Sequence, residues 1–398
     1  MEINKTEIGV CAFGLKTGII TFDDNMKDVV KKYFDKNKNI LNNKDILCMT
    51  EAVVAITQKN FVNLEDVSIE IKNKLNLKEN STIGIVFPIF SRNRFSMILK
   101  AIAKTVPLGK VIIQLSFPRD EQGNPILSKD FCIDNNITLD EKLDLKKLDN
   151  LGKRYLHPET GMDYIDFYKQ IVEKESKNVE IYLANKLNYI INSKPDGIIC
   201  CNVHNRQNIL NEIKKLGYKN IITLQDICSN SSKKEYSEYG LLGSNILDPE
   251  KNILKLAPKD GDLLCENIKQ MIFEEFDKDI EVLIYGDGAY KDPESGIYEL
   301  ADPVSCFGCT KNIKNKNKTG VKSKYLMQKL YSQGKNKKEI LEFIENEKQR
   351  VLKENNKNDF SSEGTTPRKI ENLISSLADL ISGSADSNTP LVLVKNYL

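Results

Sequence analysis

Several residue types and patterns that would assign a class of function at once are scarce or missing in this sequence. It contains no tryptophan and only two histidines, His157 and His204. With so few imidazoles, a histidine-rich metal site or a hydrolase centred on histidine is not expected, although one histidine could still assist catalysis. No run of 18 or more apolar residues occurs, so no transmembrane helix is predicted. The N-terminal sequence lacks the apolar core of a signal peptide.

An excess of charge of one sign is also missing. The 58 basic and 56 acidic residues nearly cancel and leave a formal charge of +2. General attraction to nucleic acid or to an anionic membrane is therefore not expected. The apolar fraction of 40% and the charged fraction of 29% are typical of a globular protein. The nine cysteines are scattered, mostly in apolar runs. Free thiols of this kind predict a reducing, cytoplasmic location.

Two well-known ligand motifs are missing as well. The sequence has no G-x-x-x-x-G-K-[ST] segment, so any nucleotide site is of another kind. The segment Cys306-Phe-Gly-Cys309 has the spacing of a metal or redox pair. No second Cys or His pair stands at zinc-finger distance from it, and zinc is therefore not favoured.

Alternating strands and helices are present in the first part of the chain. Residues 45–50 form an apolar strand that runs into a helix opening at Glu51. A second strand at 83–89 is followed by a helix at about 92–104 and a third strand at 110–117. This order predicts α/β architecture with a mixed sheet and helices packed against it.

A more compact alternation follows in residues 179–226, where two parallel crossovers fit into fewer than 50 residues. This pattern predicts a small Rossmann-like insert, without the G-x-G-x-x-G segment of a dinucleotide site. We therefore divide the chain into 1–176 and 240–398, which form the two parts of one main domain, and the insert 177–239.

The strongest local motif is an apolar strand that ends in Asp287 between Gly286 and Gly288, with Lys291 shortly after it. Glycines on both sides let the main chain approach a ligand closely. Ligands of open α/β sheets lie at the carboxyl ends of strands, and Mg²⁺ prefers carboxylate and phosphate oxygens. The sequence thus predicts a metal ligand at Asp287. The alternative is a tight turn, because Asp and Gly are common in turns.

Two more carboxylates, Glu299 and Asp302, follow this motif. If they converge with Asp287, each pair at 4 Å would repel by about 4 kcal/mol at an effective dielectric of 20. A divalent metal ion would relieve that repulsion, so both residues are candidate metal ligands.

The C-terminal part of the chain contains a second candidate site. Thr366-Pro367 is a good helix start, and Arg368 beside it suggests a nearby anion, because helix N-termini are themselves positive. After this helix comes a loop of small residues, in which Gly383 and Ser384 could offer N–H groups to phosphate and Asp386 could hold a metal. A plain polar connection is the alternative.

Arginines recur at another predicted helix start, in Ser91-Arg92-Asn93-Arg94-Phe95. An anionic ligand there would be held by the helix dipole, by N–H groups and by the guanidinium groups of Arg92 and Arg94, with Asn93 beside them. Surface salt bridges are the alternative. The cation-rich segment 311–324 has two interpretations as well, an exposed linker or a lid over an anionic substrate.

Taken together, these segments resemble the coenzyme F-420:L-glutamate ligase family, in a longer bacterial form. The similarity covers most of the chain and lies in a set of short blocks, namely Asp45–Ile56, Ser91–Phe95, Asp120–Asn124, His157–Tyr164, Ser237–Ser244, Gly286–Pro293, Glu299–Pro303, Glu363–Arg368 and Ser382–Asp386.

The resemblance implies a ligase-like main domain and an amide ligation that uses GTP, or ATP, with Mg²⁺ or Mn²⁺. An acceptor carboxylate would be phosphorylated to an acyl phosphate, which the amine of glutamate then attacks. In that comparison Asp287 resembles the metal-binding Asp at a strand end, and Asp386 lies in the segment that resembles the C-terminal nucleotide and metal segment. Glutamate, the nucleotide and a carboxylated small molecule are then the expected partners, and a homodimer is compatible with the sequence.

Two departures from the family pattern leave alternatives open. Archaeal members have a Lys near the nucleotide where this chain has Ile56, and their G-x-D-x-S-N metal segment is replaced here by Phe90-Ser-Arg-Asn-Arg, which has no Asp. Asp120 or Glu121 could supply the missing carboxylate. The acceptor could be a deazaflavin, a folate or another carboxylated molecule. A regulatory nucleotide-binding module of the same fold is the alternative from a different class of function.

Overall fold

A computed structural model describes residues 8–152, 156–157, 160–286, 304–317, 320–354, 369–382 and 388–398. The strands, numbered in chain order, are β1 (Cys11–Leu15), β2 (Ile46–Thr50), β3 (Phe61–Asn63), β4 (Thr82–Val86), β5 (Lys110–Leu115), β6 (Leu143–Asp144), β7 (Asn178–Leu183), β8 (Gly197–Cys200), β9 (Ile221–Thr223), β10 (Asn245–Asp248), β11 (Ile253–Lys255), β12 (Glu281–Tyr285), β13 (Cys306–Cys309) and β14 (Leu391–Lys395). The helices are α1 (Met26–Lys36), α2 (Glu51–Thr57), α3 (Leu64–Lys74), α4 (Phe95–Lys104), α5 (Lys129–Asp134), α6 (Leu145–Asn150), α7 (Tyr164–Glu175), α8 (Asn188–Asn192), α9 (Arg206–Lys215), α10 (Gly261–Phe276), α11 (Ser323–Ser332), α12 (Lys337–Glu354) and α13 (Ile370–Ser382).

A five-stranded mixed sheet brings together strands from both ends of the chain, in the order β1-β14-β2-β12-β13. Its centre is the parallel pair β2 and β12, in which Thr50 lies opposite Tyr285. Strand β14 runs antiparallel to β2, and β13 runs antiparallel to β12. The side chains of β2, β12 and β14 are buried on both faces of the sheet, as expected for apolar strands covered by helices on both sides.

Helices α1 and α10 cover one face of this sheet, where residues such as Leu47, Val282 and Leu393 form one core. Helix α13 covers the opposite face, where Ile46, Leu283 and Val392 pack against Ile374. Because successive residues of a strand point to opposite faces, the same three strands supply both cores.

The second large sheet has the order β6-β7-β5-β4-β8-β9. Its strands are parallel except for the short β6, and β4, the first in the chain, lies at the centre. This is the order of a doubly wound sheet, in which the chain turns in opposite directions from the central strand. A small sheet, β10-β11-β3, accompanies the two large ones.

The segment 236–244 links the cores of the two large sheets. Leu241 and Leu242 pack with the six-stranded sheet, whereas the ring of Tyr239 lies edge-on against Phe307 of β13, with 5.0 Å between centroids. Asn60 holds the start of this segment, because its side-chain amide donates to the carbonyl oxygens of Tyr236 and Ala257 at 2.7 and 2.8 Å.

The predicted α/β fold class is confirmed, and the predicted strands and helices are observed within a few residues of their expected ends. The strands of the predicted insert, however, do not form a sheet alone. Strand β7 pairs with β5, and β8 pairs with β4, so the sheet continues across the boundary at residue 177. The two interpretations of segment 311–324 stay predictions, and the last residues of the segment, from Ser323, belong to α11. In the described part of the chain, no helix has the length and apolar character needed to cross a membrane.

Helix α10 lies against β13 at a contact between two backbones, which predicts an effect of adding one methyl group. A Cβ atom on Gly308 would lie 2.4 Å from the carbonyl carbon of Gly261. We expect Gly308→Ala to lower the free energy of unfolding by about 1–3 kcal/mol, because neither backbone can move away easily. Gly9→Ala is the matched control, since a Cβ there meets nothing within 4 Å. Equal urea midpoints for the two variants would contradict the importance of this contact.

Candidate active site

The carboxyl ends of β2 and β12 form one edge of the five-stranded sheet. Gly286, the residue after β12, donates its N–H to the carbonyl oxygen of Ser305 at 2.9 Å. Thr50, at the end of β2, donates its N–H to the carbonyl oxygen of Pro390 at 3.0 Å, and the N-terminal end of β14 therefore lies at the same edge. This edge thus collects segments from three distant parts of the sequence.

The described residues that precede the two predicted metal segments, Gly286 and Ser382, both lie near the end of β12. The predicted residues Asp287, Gly288, Lys291, Glu299 and Asp302 lie outside the described residues, but Gly286 before them is buried at the end of β12. Arg368, Gly383, Ser384 and Asp386 also lie outside the described residues. The hydroxyl of Ser382, which precedes that loop, is hydrogen-bonded to the hydroxyl of Tyr285. The residues that flank the two segments are therefore in contact.

A pocket of about 590 Å³ opens beside this edge. Val304 and Cys306, on either side of Ser305, form part of its wall. Other walls are the start of α10, around Asp262, and the start of α13, around Glu371. The volume is in the range of pockets that bind small molecules, about 300–1,000 Å³.

The charged groups of the pocket are mainly acidic. Its lining includes four carboxylate side chains and two lysines, namely Glu238, Asp260, Asp262, Glu371, Lys314 and Lys369. Several are held by hydrogen bonds. Asp262 accepts the N–H of Cys309 at 3.0 Å and pairs with Lys314, while Glu238 accepts the N–H of Asp260 at 2.9 Å. Glu371 accepts the N–H of Asn315 at 3.0 Å with one oxygen, and its second oxygen has no hydrogen-bond partner.

The segment Cys306-Phe-Gly-Cys309 is strand β13, and it bounds the pocket. The pairing of β13 with β12 shifts register between Ile284 and Tyr285, and this irregularity leaves Phe307 without a direct partner. A hydrogen bond with Cys309 lowers the pKa of the Cys306 thiol, while that bond and burial raise the pKa of Cys309. Both thiols are free. No group of three potential metal ligands among His, Cys, Asp and Glu occurs within the described ranges, these thiols included.

Asp120 and Glu121 lie elsewhere, in the loop after β5 at the carboxyl edge of the six-stranded sheet. The two oxygens of Asp120 accept four hydrogen bonds, from the N–H groups of Phe90, Gln122 and Asn124 and from the Asn124 amide, at 2.8–3.0 Å. Burial raises the pKa of Asp120 despite these bonds. Asp120 therefore fixes the loops after β4 and β5.

Glu121 joins the loops after β5 and β8. Its carboxylate accepts the N–H groups of Val203 and His204 at 2.5 and 3.0 Å. Burial raises the pKa of Glu121 to about 7, with a smaller contribution from the charge of Asp120. The loops that meet here follow β4, β5 and β8, where doubly wound sheets commonly bind ligands.

Arg92, Asn93 and Arg94 form the turn between β4 and α4, as predicted. Helix α4 begins at Phe95 with Arg94 as its N-cap, and the side chains of Arg92 and Asn93 are exposed. A hydrogen bond to α7 holds this turn in place, because the N–H of Ser91 donates to the Tyr168 hydroxyl at 2.9 Å. The structure thus places the arginines at the edge of the six-stranded sheet with Asp120 and Glu121, whereas Gly286 ends a strand of the other large sheet.

Three features of the pocket were not predicted from the sequence. Glu371 is an ordinary polar position of a helix with a clear apolar face, and nothing in the sequence marks it. Asp260-Gly261-Asp262 is a helix-start signal that could have been found, because Asp and Gly are frequent there. Gly308 within the Cys-Phe-Gly-Cys segment is explained by the close approach of α10, since a Cβ on Gly308 would lie 2.4 Å from the carbonyl carbon of Gly261.

The structure shows an α/β protein with a pocket of mixed charge beside β13, the strand next to β12. Residues 14–396 match the model of a protein family described as F420-0:Gamma-glutamyl ligase. The match spans nearly the whole chain, and the protein belongs to this family. The resemblance inferred from the short blocks is thereby confirmed. No curated protein matches the chain.

The raised pKa of Glu121 predicts how stability depends on pH. Between about pH 4.5 and 7 the folded protein binds more protons at this group than the unfolded chain, so the free energy of unfolding falls as pH rises. In Glu121→Gln, we expect the free energy of unfolding to fall with pH by up to about 3 kcal/mol less than in the wild type. Urea unfolding at several pH values measures this difference. Replacing one oxygen by an amide also costs stability at every pH. Parallel pH profiles for the wild type and the variant would contradict the assignment; the exposed Glu342→Gln is the control.

Proposed function

We propose that the protein is a nucleotide- and metal-dependent ligase that joins glutamate, or a similar amino acid, to a carboxylated acceptor. Family membership supports amide formation by a γ-glutamyl ligase. The observation that carries the proposal is the pocket of about 590 Å³ at the edge where β12 ends. The segments that begin after Gly286 and Ser382 both start at this edge, and each contains a carboxylate for which we propose a role in the reaction.

The proposed reaction has two steps. The acceptor carboxylate attacks the terminal phosphate of GTP or ATP, which forms an acyl phosphate and releases the nucleoside diphosphate. The amino acid's ammonium group gives up a proton, and the free amine then attacks the acyl carbon; the amide forms as phosphate leaves and takes up the amine's second proton. The site has to hold anions of the nucleotide and the acceptor together with an amine, and the mixed charges of the pocket suit that combination.

A divalent metal ion, Mg²⁺ or Mn²⁺, would neutralise phosphate charge when bound. The described residues alone do not supply a set of three ligands for it. We therefore propose Asp287, Glu299, Asp302 and Asp386 as the metal ligands. Asp120 and Glu121 are weaker candidates, because backbone and amide N–H groups already bind their oxygens in this structure.

The two arginines before α4 are proposed to bind an anionic group of the acceptor or the nucleotide. Arg92 is exposed and Arg94 is half-buried, at the N-terminus of a helix of 10 residues. Guanidinium groups and a helix N-terminus both favour carboxylate and phosphate. Arg368, Asn93, Gly288, Gly383 and Ser384 are proposed to contact the nucleotide, and Lys291 the reacting groups.

Replacement of Asp287 by Asn tests the proposed reaction centre. Wild-type protein supplied with GTP or ATP, Mg²⁺, glutamate and a panel of deazaflavin and folate acceptors should release phosphate in step with amide formation. Asp287→Asn should reduce turnover by at least about 100-fold, because a carboxylate that holds metal has no equivalent in an amide. Glu342→Gln on the exposed face of α12 is the control. Full activity of Asp287→Asn would remove this residue from the site, and no phosphate release by the wild type would refute the ligase.

A further inference from the structure

Glu371 is the least satisfied carboxylate described in the pocket. Its side chain is buried, with 6% of the residue exposed. Oxygen Oε1 accepts the N–H of Asn315 at 3.0 Å, which fixes the side chain, while Oε2 has no hydrogen-bond partner. A buried carboxylate oxygen without a partner is costly, so such a group calls for a ligand that donates hydrogen bonds to it.

The surroundings of Glu371 favour a cationic donor. Asp262, across the pocket, already pairs with Lys314, and the amine of Lys369 donates to the side-chain oxygen of Asn315 at 2.9 Å. The lining therefore holds more acidic than basic side chains, and both of its lysines make hydrogen bonds to residues other than Glu371. An ammonium group would satisfy Oε2 by both charge and hydrogen bonding.

The position of Glu371 relates this oxygen to the proposed reaction. Helix α13 packs on β12 and β13, and Cys306 of β13 lies opposite Tyr285, one residue before Gly286. Lys369 lines the same pocket, and its amine has N–H groups beyond the one that donates to Asn315, so it can also bind a carboxylate group of the same ligand. An amino acid with a carboxylate side chain combines these charges.

We propose that Glu371 binds the α-ammonium group of the amino acid that the ligase attaches, with Oε2 as the acceptor. The inference rests on the proposed function, because it assigns the incoming amino acid to this pocket. It makes Glu371 the residue that distinguishes an amino acid from a dicarboxylate of the same length.

Binding of L-glutamate and of glutarate, which lacks only the amino group, tests this assignment. Titration calorimetry with Mg²⁺ and a non-hydrolysable nucleotide should show glutamate binding roughly 10- to 100-fold more tightly than glutarate, as a charged hydrogen bond suggests. Glu371→Gln should reduce this ratio to about 2-fold or less, because the amide places an N–H group where Oε2 was. An unchanged ratio in Glu371→Gln, or equal binding of the two ligands by the wild type, would overturn the proposal.

Glu266→Gln is a closely matched control. Glu266 also lies on a helix, and its Oε1 also accepts a backbone N–H of the same turn, that of Lys311 at 2.8 Å. It is not part of the pocket lining, and the variant should keep the wild-type ratio. Should Glu371→Gln fail to fold, as judged by circular dichroism, Glu371→Asp keeps the charge on a shorter side chain. Glu371→Asp should prefer glutamate over glutarate, but less strongly than the wild type does. An unchanged preference would overturn the proposal.

A separate assay distinguishes this inference from the proposed function. Hydroxylamine converts an acyl phosphate into a hydroxamate without any amino acid. In one outcome, Glu371→Gln forms hydroxamate at the wild-type rate but forms less amide, because its KM for glutamate is higher. This outcome would support both the acyl phosphate and the role of Glu371. Hydroxamate formation by a wild type that does not prefer glutamate would retain the ligase and refute the role of Glu371. In a third outcome, the wild type forms no hydroxamate, but Glu371→Gln still loses the preference for glutamate. This outcome would refute the acyl phosphate and leave the role of Glu371 intact.

Discussion

The parallel pairing of β2 with β12 is the constraint on which the site depends. These strands come from opposite halves of the chain, and their register sets Thr50 opposite Tyr285. Any other register would shift the end of β12 relative to Glu51 and to the start of β14. A shift by one residue would also exchange the two buried faces of the strand, because side chains alternate. One pairing thus fixes both cores of the sheet and the edge that bears the pocket.

The pocket also depends on a close contact between α10 and β13, the strand next to β12. Strand β13 has to lie close enough to α10 for the backbones of Gly261 and Gly308 to touch, and the hydrogen bond from the Cys309 N–H to Asp262 then connects the helix start to the strand. A buried pair of Glu51 and Lys255, at 2.8 Å, ties the start of α2 to the small sheet. Replacing one member of such a pair leaves an uncompensated charge, so this position resists change. These contacts hold the starts of α10 and α2 in place beside β13 and the small sheet.

Local patterns in the sequence were sufficient to predict several of the strands and helices, because apolar runs such as 45–50 and 110–117 are bounded by clear turn and helix signals. They also predicted the strand before Asp287, observed as β12 (Glu281–Tyr285), and the arginines that precede α4. Pairings over long distances could not be predicted, since nothing in residues 281–285 indicates whether β2 or β5 is the neighbour. The division at residue 177 shows the consequence: the crossover pattern was correct, but the partners of β7 and β8 lie earlier in the chain. Glu371 was missed for the same reason, because its burial is a property of the assembled pocket.

The buried carboxylates at the two sheet edges differ in how they are satisfied, and this difference separates structural from ligand-binding groups. Asp120 and Glu121 direct both oxygens at protein N–H groups, so they hold loops together and need no further partner. Glu371 is as buried as Asp120, but only one of its oxygens accepts a hydrogen bond. A folded chain gains nothing in stability from a buried oxygen left without a donor. The unpartnered oxygen is therefore the group for which we propose a partner from outside the chain, and in a family of γ-glutamyl ligases the amino acid substrate brings an ammonium group.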